Sequence, residues 1–115
     1  MIRIKRVYDP PGAQDGYRIL IDRLWPRGLS KDKACIDEWR KDLALSDRLR
    51  KWFKHEAEKW EEFRRRYHEE LRPKTIEVKE LAQTQRPKTI TLLCGARDEK
   101  HNNAVALKEL LEDLR

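Results

Sequence analysis

At 115 residues the chain has room for one domain with a core of modest size, and 38% hydrophobic against 42% charged residues means that this core must come from patterned elements. No apolar run approaches the roughly 20 residues that span a bilayer, and no apolar leader core is present, so a membrane role is excluded and a cytoplasmic protein is expected. The formal net charge of +6 comes from 27 bases interspersed with 21 acids, the pattern of a solvated ion-pair surface more than of a nucleic-acid footprint.

Ile2-Arg3-Ile4-Lys5-Arg6-Val7-Tyr8 alternates apolar and basic residues, the period of a strand with one wet face. Asp9-Pro10-Pro11-Gly12 breaks it, and a polar loop runs to Gly16. Tyr17 to Ile21 is a second strand, more continuously apolar and therefore more central, and the short connection favours antiparallel pairing with the first. Ser30 caps a helical turn over Lys31 to Ala34, and the ambiguous Cys35 to Trp39 segment is assigned as a short strand. Ser46 caps a helix to about His55 with Leu49, Trp52 and Phe53 inward. Trp60, Phe63, Tyr67 and Leu71 recur at helical steps between charges, and Pro73 ends that helix. A helix from Thr75 to Gln83 points Ile76, Val78, Leu81 and Ala82 inward, and Arg86-Pro87 punctuates. Thr89 to Cys94 is a buried strand, and a loop over Gly95 to Lys100 leads to a last helix with Ala104, Leu107, Leu111 and Leu114 on its inner face. Strands interrupted by helices predict a single α/β domain over 1–115, with a small mixed, mostly parallel sheet flanked by helices.

In such sheets the ligand crevice lies outside the carboxyl ends of the strands. If the second strand and the Thr89 to Cys94 strand are parallel neighbours, their following loops face each other. One loop offers Asp22, Arg23, Trp25, Arg27, Gly28 and Lys31; the other offers Cys94, Gly95, Arg97, Asp98, His101, Asn102 and Asn103. Arg27, Lys31 and the Gly28 backbone form an anion clamp or a merely solvated turn. Asp22 is either a general base or half of a structural Asp–Arg pair, and Trp25 is either a stacking platform or a lid on the core. Cys94 is either a nucleophile with a lowered pKa or an inert buried thiol. His101 is either an acid–base group or an exposed residue beside a helix cap, with Asp98 and Asn102 orienting or capping. The two cysteines, Cys35 and Cys94, match no C-x-x-C spacing, and no ligand set for a metal or motif for a cofactor is present, so neither is expected.

Gly16-Tyr17-Arg18-Ile19-Leu20-Ile21-Asp22-Arg23-Leu24-Trp25-Pro26-Arg27-Gly28 resembles the signature of domain of unknown function family 488, in its short YeaO-like branch. The likeness continues through Asp37 to Ala44, Leu49 to His55, the Trp60–Leu71 stripe and Thr91-Leu92-Leu93, and closes on Arg97-Asp98 and His101-Asn102. The resemblance implies a compact α/β domain, cytoplasmic and mainly prokaryotic, with no assigned activity. The longer branch carries similar loops, an Asp-Val-Arg-x-x-Pro-x-Ser string and a Cys-Ala-Glu-Lys-Asp-x-x-His-Cys-His string. Asp22, Pro26, Cys94, Asp98 and His101 match that pattern, whereas Ala96, Asn102 and Asn103 replace its Glu, Cys and His. The short branch often has an aromatic residue in place of Cys94, which lowers its standing as a nucleophile.

The expected function is an enzyme or binding domain for an anionic, phosphate- or nucleotide-like small molecule. Arg27, Lys31 and Gly28 would hold the anion, Trp25 would stack, and Asp22 and His101 would move protons. The alternatives are a nucleic-acid-binding module using the basic helical surface around Arg64-Arg65-Arg66, and a protein-interaction module without chemistry. Three consecutive arginines point about 100° apart on a helix and cannot form one stripe, which disfavours the nucleic-acid reading.

Overall fold

The computed structural model describes residues 1–54, 56–83 and 89–114, so His55 and the expected Arg86-Pro87 break lie outside the described residues. In chain order the elements are β1 (Ile2–Arg6), β2 (Tyr17–Leu20), α1 (Lys31–Ala34), β3 (Glu38–Trp39), α2 (Asp47–Phe53), α3 (Trp60–Leu71), α4 (Thr75–Gln83), β4 (Ile90–Cys94) and α5 (Asn103–Leu114). Single 3-10 turns lie at Lys41–Leu43, Ala57–Lys59 and Arg72–Lys74. The Pro73 ring therefore sits in a turn between α3 and α4, where its fixed φ suits the start of a helical segment.

The four strands form one sheet in the order β1-β4-β2-β3, with every neighbouring pair parallel. β4 is buried along its whole length, as expected of a central strand covered on both faces. The antiparallel pairing expected for β1 and β2 does not occur: both strands flank β4 and run parallel to it. The reason lies on one face of the sheet, where Asp15, only 2% exposed, anchors the 7–16 connection. Its carboxylate accepts from Lys5 Nζ at 3.0 Å, from the Gly12 amide at 3.0 Å and from Arg18. Its carbonyl accepts from Thr91 Oγ1 at 2.6 Å. Arg18 donates onward to the Cys35 and Ala34 carbonyls, each at 2.9 Å. This buried ion cluster lets a short loop pass over β4 without a crossover helix.

The opposite face carries the main core. Ile2, Ile19, Ile21, Ile90, Leu92 and Cys94 project there against Leu49 and Phe53 of α2, Phe63 and Tyr67 of α3, Leu81 of α4 and Leu107 and Leu111 of α5. Alternation sends Leu20, Leu93 and Val7 to the first face, where Trp25, Leu29, Ile36 and Trp39 cover them. Val78, Leu81 and Ala82 face inward as expected, but Ile76 is 70% exposed, because it falls outside their helical stripe. Among the described residues no helix is long and apolar enough to cross a membrane.

Candidate functional site

Because β2 and β4 are parallel neighbours, the loops after them do meet, and one side chain joins them. Asp22 Oδ2 accepts from the Gly95 amide at 2.7 Å, and Oδ1 accepts from Asn103 Nδ2 at 3.0 Å. A Cβ on Gly95 would stand 3.3 Å from Asp22 Oδ2, so the absence of a side chain there permits the close approach. Asn102 begins α5: its Oδ1 accepts from the Val105 amide at 2.9 Å, and its Nδ2 donates to the Asp98 carbonyl at 2.8 Å.

Around this joint lies a cleft of about 590 Å³ at the carboxyl ends of the strands. Of the sequence-expected residues, Asp22, Arg23, Trp25, Arg27, Gly95, Asn102 and Asn103 line it. Arg27 sits in a turn closed by Leu29 N–H to Pro26 O at 3.3 Å, where Gly28 takes φ +84°. Gly28 thus shapes the turn and is not among the lining residues. Tyr8 at the end of β1 holds the same loop, its hydroxyl donating to the Arg27 carbonyl at 3.1 Å. The exposed guanidiniums of Arg23 and Arg27 have no ion-pair partner among the described residues. Trp25 uses its indole N–H on the Leu29 carbonyl at 2.7 Å and packs edge-on against Trp39 at 5.4 Å, so its ring is braced by the smaller core while lining the cleft.

The remaining expected residues lie elsewhere. Lys31 is exposed on α1, and Arg97 is exposed on the 95–102 loop, neither lining the cleft. Cys94 is buried beneath it, and burial, reinforced by the Asp22 charge, pushes its thiol up to about 12. At neutral pH it is a thiol, not a nucleophilic thiolate. His101 Nδ1 lies 3.0 Å from Asp98 Oδ2, and its ring sits edge-on to Trp60 at 5.3 Å. The amide of Lys100, then the side chain and amide of His101, hold the Asp98 carboxyl below its ordinary value. His101 and Asp98 form a local pair outside the cleft lining.

Sequence reading missed the wall opposite the loops. α2 contributes Asp47, Arg50 and Phe53 to the cleft, and Phe63 of α3 stacks on Phe53 at 4.2 Å between centroids. Their spacing of three residues from Asp47 onward was the available signal, since it puts all three on adjoining parts of one helix face. Among the described residues no group of His, Cys, Asp and Glu is arranged to hold a metal ion.

A four-stranded, all-parallel sheet with helices around it makes this a small α/β protein. The chain belongs to the family described as the inactive DUF488-N3 subclade, which it matches over residues 1–114. It is 43% identical over 113 residues to the uncharacterized protein YeaO of Escherichia coli K12, covering 98% of each chain. It is 36% identical over 110 residues to the uncharacterized proteins Mb3100c of Mycobacterium bovis and Rv3073c of Mycobacterium tuberculosis, covering 96% of this chain and 92% of each of theirs. No solved structure matches the chain.

Proposed function

We propose that this protein is a binding domain for a phosphate-bearing small molecule, held in the cleft by Arg23 and Arg27. The observation that carries the reading is the pairing state of its cations. The three consecutive arginines of α3 are all committed: Arg64 to Glu61 and Glu109, and Arg65 and Arg66 to Glu62. Arg23 and Arg27 instead stand at the cleft with no such partner among the described residues. Guanidinium forks match phosphate oxygens in geometry and charge, and the apolar wall of Phe53 and Phe63 suits a ring or other apolar part of the same ligand.

Binding without turnover is favoured by the state of the groups that would do chemistry. Asp22 is engaged by Gly95 and Asn103, Cys94 is protonated, and the His101–Asp98 pair lies outside the cleft lining. The family's description as an inactive subclade agrees with this. The paired arginines of α3 weigh against a nucleic-acid module built on that helix.

A thermal-shift series with inorganic phosphate, pyrophosphate and adenosine monophosphate tests the reading. A ligand at about 100 times its Kd stabilises by about 2.7 kcal/mol, which for a chain of this size raises Tm by about 10 °C. Arg27→Ala is expected to lose most of that rise. No stabilisation by any of the three, or an equal response from Arg27→Ala, overturns the assignment.

A further inference from the structure

Beside the cleft runs a second open groove of about 670 Å³, and the two share Arg23, Leu24 and Leu45. Its other charged walls are Lys41, Arg48, Lys74 and Glu70. Glu70, the acid among these lining residues, is already committed to α2: Ser46 N–H donates to its Oε1 at 2.8 Å and Ser46 Oγ–H to its Oε2 at 2.5 Å. Lys41 lies 4.0 Å from the centroid of the Trp39 ring, and Lys74 donates to the Asp42 carbonyl. The nearby Asp42 carboxylate is held by Arg40 at 2.8 Å. Arg48 is exposed and has no ion-pair partner among the described residues. Four cations therefore face this groove, against one acid that is occupied by a helix cap. Leu24, 76% exposed, stands between the two depressions beside the arginine that serves both.

We infer that the groove is a second anion subsite, and that the ligand is one small molecule bearing a chain of phosphates that runs from Arg27, past Arg23, to Arg48 and the two lysines. The inference rests on the cleft reading above and narrows its ligand class from any phosphate-bearing small molecule to a polyphosphate. A chain of linked phosphates keeps its charges a few ångströms apart along a flexible backbone, as two adjoining basic depressions with a shared arginine require. One exposed leucine on the crest is too little apolar surface for a protein partner, whose core anchors are usually buried aromatic side chains.

The test is isothermal titration at fixed ionic strength with inorganic phosphate, pyrophosphate and tripolyphosphate. Tripolyphosphate is expected to bind the native chain more tightly than phosphate. Arg48→Glu should weaken tripolyphosphate by about tenfold or more, the loss of one charge-assisted contact, while leaving phosphate unchanged. Arg27→Ala and Arg23→Ala should weaken both. As a control, Lys33→Ala with Lys79→Ala removes two exposed bases, on α1 and α4, that line neither depression and should change neither. If Arg48→Glu binds tripolyphosphate like the native chain while Arg27→Ala still loses phosphate, the second subsite is wrong and the cleft reading stands. Equal loss in this control means general charge attraction and overturns the inference. Displacement of tripolyphosphate by a short single-stranded oligonucleotide at lower concentration assigns the groove to nucleic acid and also overturns it.

Discussion

Asp22 acts at the scale of one residue but joins three elements: the end of β2, the Gly95 amide after β4, and Asn103 at the start of α5. Replacing it with alanine leaves two partly buried donors without their acceptor, and each such loss costs about 1–3 kcal/mol. Asp22→Ala is therefore expected to lower stability by about 2–6 kcal/mol, read as a shift of the urea midpoint with an unchanged m-value. A neighbouring test concerns the two thiols, of which Cys35 is exposed and Cys94 buried. With its thiol pushed up to about 12, Cys94 is almost wholly protonated at pH 8. A thiol reagent at that pH should label one cysteine in the native protein and two after unfolding; native labelling of both would show that Cys94 is accessible. Asp22, Cys94 and Asn103 were all legible as candidates from their positions at strand and helix ends. That Asp22 binds Asn103 was not, because 81 positions separate them and only chain packing brings them together.

Helix α2 shows how a short element is made to hold. Seven residues are too few for a helix to persist by propensity, so its ends and packing decide it. Ser46 accepts from the Leu49 amide at 3.0 Å, and Glu70 of α3 receives both the Ser46 amide and hydroxyl. The arrangement does the work of a capping box, with the acid supplied by another helix instead of the third residue of the same one. Ser46→Ala should cost about 1–2 kcal/mol in urea unfolding. The same variant should weaken ligand binding in the thermal-shift series, since α2 carries Asp47, Arg50 and Phe53 into the cleft. If its stability equals that of the native chain, the cap is not what holds α2. The serine followed by Leu49, Trp52 and Phe53 was readable as a capped, amphipathic start. The Glu70 partner and the cleft-facing side were not, because both depend on where α3 and the loops pack.

Across the whole molecule, charge is handled in two ways. Exposed helix pairs such as Arg65–Glu62 are screened by solvent, add little to stability and chiefly neutralise the surface. The buried cluster around Asp15 is different. Burial alone would raise that carboxyl, but the Gly12 amide, Lys5 and Arg18 outweigh it and hold it below its ordinary value. A carboxyl lowered on folding contributes stability that is present above its unfolded pKa, about 3.9, and is lost as pH falls through the lower folded value. Stability should thus be level from about pH 5 to 7 and fall steeply below about pH 4. Asp15→Asn, which strands Arg18 and Lys5, should cost about 3–5 kcal/mol at neutral pH and fall less steeply in acid, both read from urea midpoints across a pH series. Local patterns in the sequence determined the element types, most boundaries, the caps at Ser30 and Ser46, and the pair of loops that would meet, because periodicity and capping act over only a few residues. Tertiary structure alone decided that β4 lies between β1 and β2, that α2 closes the cleft, and that His101 stays out of it. Those outcomes depend on burying apolar faces and pairing buried charges between distant segments, and no short window of sequence contains both partners.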